Sequence, residues 1–84
     1  MMRGMQHPER NISMLIEYLG GRTYRAIGLK YNLHPATVRQ HARSLAFKAY
    51  RKGYWNPPTI HFTAAQMREG RMDILRYLYS GEAK

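Results

Sequence analysis

The chain has 84 residues, no cysteine, and fourteen Lys and Arg against five Asp and Glu, for a formal net charge of +9. That length holds one small domain, residues 1–84, and excludes a multidomain enzyme, while the missing thiols exclude disulfide scaffolds, thiolate zinc sites and cysteine nucleophiles. So strong a basic excess predicts attraction to a polyanion: nucleic acid, an anionic membrane or an acidic protein surface.

Residues 1–10 lack the apolar stretch of a signal peptide, and no apolar run approaches the roughly 20 residues of a membrane span, so a cytoplasmic protein with no membrane partner is expected. Pro8 is preset for the start of a first helix, in which Ile12, Leu15, Ile16 and Leu19 fall on one face and which Gly20 and Gly21 end. Thr23 caps a short second helix, Tyr24 to Tyr31, with Ile27 and Tyr31 facing inward, and Asn32 tolerates the left-handed turn that follows it. Pro35 opens a third helix running to about Lys52, with an apolar stripe of Val38, Ala42, Leu45 and Ala49. Gly53 and the Pro57-Pro58 pair break the pattern, leaving residues 54–62 as an extended, aromatic connector with room for a short strand. A capping box of Thr63 and Gln66 then starts a fourth helix over about 63–80, carrying Ala64, Met67, Ile74, Leu75 and Leu78 on one face, weakened at Gly70 and ended at Gly81. The expected fold is all-α: a three-helix core plus a C-terminal helix behind the connector.

Charge is unevenly divided. Residues 1–21 balance Arg3 and Arg10 against Glu9 and Glu17, and residues 53–84 are almost neutral. The middle holds Arg22, Arg25, Lys30, Arg39, Arg43, Lys48, Arg51 and Lys52 without one Asp or Glu, and so carries eight of the nine excess charges. Surfaces normally intersperse both signs, so this segment is the candidate polyanion face.

Two helices joined at Asn32 and Leu33, the second strongly basic, have the dimensions of a helix-turn-helix over residues 23–52, in which the second helix enters the DNA major groove. The run TYRAIGLKYNLHPATVRQHAR, residues 23–43, resembles the helix-turn-helix of bacterial regulators, above all the promoter-reading C-terminal domain of sigma factors and related LuxR-type and small phage regulators. In that resemblance Ile27 and Tyr31 take buried sites, Gly28 the small site where the helices touch, and Val38 the inward site of the recognition helix. The sequence departs from the family's usual pattern at Asn32 (usually Gly), His34 (usually Ser or Thr) and His41 (usually apolar), the last placing a polar ring at the core edge.

At 100° per residue, Ala36, Gln40, Arg43, Phe47 and Arg51 project opposite the Val38 stripe, with Arg39 beside them. Gln40 has the amide pair to bond adenine, and Arg39 or Arg43 the fork to bond guanine, so Ala36, Thr37, Arg39, Gln40 and Arg43 are the base-contact candidates. Arg22, Thr23, Tyr24, Arg25, Lys30, Ser44, Lys48 and Arg51 are placed as phosphate contacts. Phe47 and Tyr50 lie on the polar side and need cover, which the connector and fourth helix supply more simply than a second subunit. Tyr18, Tyr31 and Tyr79 sit near apolar faces, which leaves Tyr54 and Trp55 as the expected exposed pair.

His7, His34, His41 and His61 have no ligand spacing, so no metal or cofactor is expected. No serine has a nucleophile's context and the scattered carboxylates form no acid–base pair, so the chain does not read as an enzyme. The expected function is sequence-specific binding of double-stranded DNA for transcriptional control, in a bacterial or phage-infected cell. Three alternatives stand beside it: an interaction module for RNA polymerase or another regulator, the DNA-anchoring subunit of a recombination or packaging complex, and, weaker because the motif points to duplex DNA, structure-specific or RNA binding through Tyr54, Trp55 and the Arg-rich helix. Homodimerisation through Ile74, Leu75 and Leu78 stays open.

Overall fold

Helix α1 (Pro8–Leu19) starts where expected, with Pro8 in its first turn, and closes at Gly20; Gly21 then takes a φ of 115°, reversing the chain. These positions come from a computed structural model that describes residues 7–60 and 62–83. Thr23 caps α2 (Tyr24–Tyr31) by accepting the Ala26 N–H at 3.1 Å, and Asn32 ends it in the left-handed conformation at φ 59°. Helix α3 (Pro35–Arg51) has an unusual cap: His34 Nδ1 accepts the Ala36 N–H at 3.0 Å, so the departure from Ser or Thr keeps a side-chain acceptor in place.

The α2–α3 join is closed by the Leu33 N–H donating to the Gly28 carbonyl at 2.8 Å. Gly28 is buried there, and a Cβ added to it would run into the carbonyl oxygen of Leu33. Only hydrogen fits at that contact.

The expected fourth helix is two helices, α4 (Ala64–Glu69) and α5 (Arg71–Tyr79), meeting at Gly70. At that junction Trp55, 4% exposed, lays its indole on Gly70, in the space a Cβ would occupy, so only glycine fits there. The capping box is present, with Thr63 Oγ1 accepting from Gln66 N–H and Gln66 Oε1 accepting from Thr63 N–H, both at 3.2 Å. Among the described residues the connector forms no strand.

Helix α3 is the hub, packing on α1, α2 and α5, while α5 also touches α1 and α4. Its inward stripe of Val38, Ala42, Leu45, Ala46 and Ala49 is fully buried against Met14, Leu15 and Ile27, with Ile74 and Tyr77 completing the core from α5. Small alanines allow this close approach of helices, and full burial of such a side chain as Leu15 or Ile27 is worth about 1.5–3 kcal/mol.

Several core expectations are corrected. Trp55 is buried instead of exposed, and Tyr54 is half-buried, its ring 5.4 Å from Tyr77 and its hydroxyl donating to Glu82 Oε2 at 2.6 Å. Tyr79 is 72% exposed rather than core, Ala64 is exposed, and Ile16, Tyr31 and Leu75 are only partly buried. Met14 and Tyr77 fill core sites that no apolar stripe marked. Asn11, fully buried, has its Oδ1 accepting from Arg10 at 3.1 and 3.2 Å. No helix among the described residues is long and apolar enough to cross a membrane.

Candidate nucleic-acid interface

With its inner stripe locked into the core, α3 presents Ala36, Arg39, Gln40, Ser44, Phe47 and Arg51 on the exposed side. That is the face projected from the sequence. Thr37 is half-buried in the first turn, and Lys48 is exposed near the far end.

Arg43 is half-buried, and its Nη1 donates to the Phe62 carbonyl at 3.0 Å, tying the connector to α3. Phe62 is buried, and its ring lies 6.0 Å from Phe47 and 5.9 Å from Tyr50, so the connector packs beside both aromatics and half-buries Tyr50 without closing over Phe47. Phe47 stays 41% exposed, with the Arg51 guanidinium 5.8 Å from its ring centre.

An open concavity of about 560 Å³ results between helix and connector, floored by Ala36, Arg39, Gln40 and Ser44 and walled by Ile60 and Phe62. A second, of about 420 Å³, shares Arg39, Arg43 and Phe62 and is closed by Tyr18, Tyr24 and Thr63. The two arginines therefore form a ridge between the start of α2 and the connector. Cationic groups that share concave, water-exposed surfaces focus potential toward an anion.

The phosphate candidates fall into different situations. Arg25, Lys48 and Ser44 are exposed. Arg22 and Lys30 are ion-paired to Glu17, at 3.5 and 2.8 Å, and Glu17 also accepts the Tyr31 hydroxyl at 2.7 Å. The bonds from Lys30 and Tyr31 hold the Glu17 carboxyl below its usual range, against the opposing pull of burial. Thr23 spends its hydroxyl oxygen on the α2 cap. Tyr24 stacks flat on Tyr18 with ring centres 4.2 Å apart, and burial followed by the Tyr18 hydroxyl pushes its phenol up against the opposing pull of Arg43 and Arg39. Tyr24 is thus a packing residue that also borders the arginine ridge.

Arg43–Phe62 and Glu17–Lys30 had no sequence signal, because both join residues on different elements. The only cue was that Glu17 is the single acidic residue between positions 10 and 68.

His41 is half-buried, and burial first and the Arg10 charge second lower its imidazole pKa. His7 and His34 are exposed, and His61 lies outside the described residues. Among the described residues no group of three or more His, Asp and Glu side chains is placed to hold a metal ion. Comparisons with protein-family models, curated proteins and solved structures give no match for this chain.

Proposed function

We propose that this protein is a sequence-specific, double-stranded DNA-binding transcriptional regulator, of the small kind that phages and mobile elements use, with α2 and α3 acting as a helix-turn-helix. The observation that carries this reading is that Arg39 and Gln40 stand exposed, side by side, on a helix whose opposite stripe is buried, within a segment of eight cations and no anion. A rigid helix with bidentate-capable side chains on its outer face is what major-groove readout requires.

In this reading Arg39 and Gln40 contact base edges, with Ala36 and Thr37 at the entering end. Arg25, Ser44, Lys48 and Arg51 contact phosphates, and Arg22 and Lys30 do so in competition with Glu17. Arg43 holds the connector while facing the same surface. No catalytic residue and no cofactor enters the proposal. It places the protein in the cytoplasm of a bacterial or infected cell.

One observation favours an added protein partner. Tyr54, Met72, Leu75 and Tyr79 line an open, largely apolar groove on α5, with Met72 73% and Tyr79 72% exposed. RNA polymerase, a catalytic chain of a recombination complex and a second copy are the partner classes that this patch would serve.

The test is selection of bound duplexes from a randomised library at two salt concentrations. A recovered motif is the expected result, and its symmetry would report the number of copies bound. Affinity without a motif, collapsing as salt rises, would leave generic phosphate attraction and overturn the reading.

A further inference from the structure

Ile60 is 64% exposed at the lip of the concavity whose floor holds Ala36, Arg39 and Gln40. It is also held from both sides. On one side Thr59 Oγ1 accepts from Gln66 Nε2 at 2.8 Å, which anchors the connector to α4. On the other, two contacts hold Phe62, its carbonyl accepting from Arg43 and its ring packing 4.9 Å from that of Trp55, and they keep its backbone at φ 55°. A bulky residue is an outlier in that left-handed region and stays there only where its surroundings determine it. The connector is thus pinned so that a large β-branched side chain faces water beside the two side chains best suited to read bases.

We propose that Ile60 is a base-contacting residue, packing against the 5-methyl group of a thymine in the major groove next to the bases met by Arg39 and Gln40. The inference rests on the DNA-binding reading above. Chemistry selects the ligand: an aliphatic side chain has no hydrogen bond to offer a base edge, and the thymine methyl is the apolar feature of the major groove. Arg43 then has a positioning role, since its bond to Phe62 sets the height of the lip above α3.

The experiment uses the whole chain and the duplex it selects. Each thymine in turn is replaced by deoxyuridine, which keeps every hydrogen-bonding group and lacks only the methyl. One replacement is expected to weaken the native protein about four-fold, the worth of one buried methyl group. Ile60→Ala is expected to lose affinity for the thymine duplex by a similar factor and to bind thymine and uracil versions alike, with an unchanged melting temperature. A motif indifferent to every thymine methyl, or an Ile60→Ala protein that keeps the native preference for thymine, overturns the inference and leaves the DNA reading standing. If the native protein selects no motif, both fall together.

Discussion

Glu17 on α1 and Lys30 at the end of α2 meet at 2.8 Å, carboxylate Oε2 to Nζ, and the same oxygen accepts the Tyr31 hydroxyl. The carboxylate fastens α2 to α1 and neutralises part of the basic segment. Its pKa is lowered on folding, so its stabilisation is present above the ordinary value of 4.5 and is lost as pH falls through the lower folded value. Glu17→Gln is expected to cost about 1 kcal/mol at neutral pH, the partly exposed partners reducing the worth of the charged bonds. In a chain this short that lowers the melting temperature by about 4–8 °C. On DNA the opposite sign is expected: releasing Lys30 and Arg22 should raise affinity for all duplexes and steepen the salt dependence by about 1–2 contacts. A variant with native stability or with weakened DNA binding would contradict the clasp.

Gly28 and Gly20 make a controlled pair. Alanine at Gly28 drives a methyl into the Leu33 carbonyl, a backbone atom that has no rotamer to escape with, whereas at Gly20 the new Cβ meets Glu17 and Ile16 carbonyls at an ordinary 3.5 Å. Gly28→Ala is therefore expected to lose about 1–3 kcal/mol despite its better helix propensity. Gly20→Ala, at a right-handed φ of −80°, is expected to be neutral or to gain up to about 1 kcal/mol. Denaturant midpoints measured for both would expose an error in the α2–α3 packing if the order were reversed.

What was legible in the sequence was whatever depends on near neighbours. Pro8, Thr23 and Pro35 mark helix starts, Gly20 and Asn32 mark stops, and the Val38-Ala42-Leu45-Ala49 stripe lies on one face because 3.6 residues make a turn. Gly70 marks a weak point in the helical pattern, but the residue that packs on it, Trp55, lies fifteen positions away in the chain, and no local pattern joins the two. The burial of Trp55 has no local signature either, because its neighbours, Tyr54 and Asn56, give no apolar period. Arg39 and Gln40 could be placed on the outer face by projection, but the wall beside them could not. That wall is held by contacts between distant elements, the Arg43 bond to the Phe62 carbonyl, the Gln66 bond to Thr59 and the packing of Phe62 on Trp55.

The pH dependence near neutrality should be governed in part by His41. Burial and the adjacent Arg10 charge lower its pKa below the ordinary 6.5, so the unfolded chain binds the proton more readily than the folded one. Stability from this site is complete above 6.5 and is lost as pH falls toward the lower folded value. Melting temperatures compared at pH 7.5 and 5.5 are expected to drop for the native chain and to drop less for His41→Gln, which keeps a polar side chain without the charge. Equal drops in the two proteins would remove His41 from the account. The window is separate from that of Glu17, whose contribution fades only in the acid range below 4.5.

The division of labour on the basic face is the most direct check on the DNA reading. Arg39 and Gln40 line the concave face of α3, while Arg25 sits exposed near the start of α2 and Lys48 near the far end of α3. Replacing Arg39 or Gln40 by Ala removes a bidentate partner for one base, so binding to the selected motif should weaken by about 1–3 kcal/mol each, with little change on random duplex. Replacing Arg25 or Lys48 removes a charge that meets any phosphate backbone, so specific and random duplexes should weaken together and the salt slope should fall by about one. Both classes are exposed, which keeps the fold out of the comparison. Titrations at two salt concentrations separate the outcomes: equal losses on specific and random DNA for Arg39→Ala and Gln40→Ala would reduce α3 to a charged strut and shift the search for function to the apolar groove on α5.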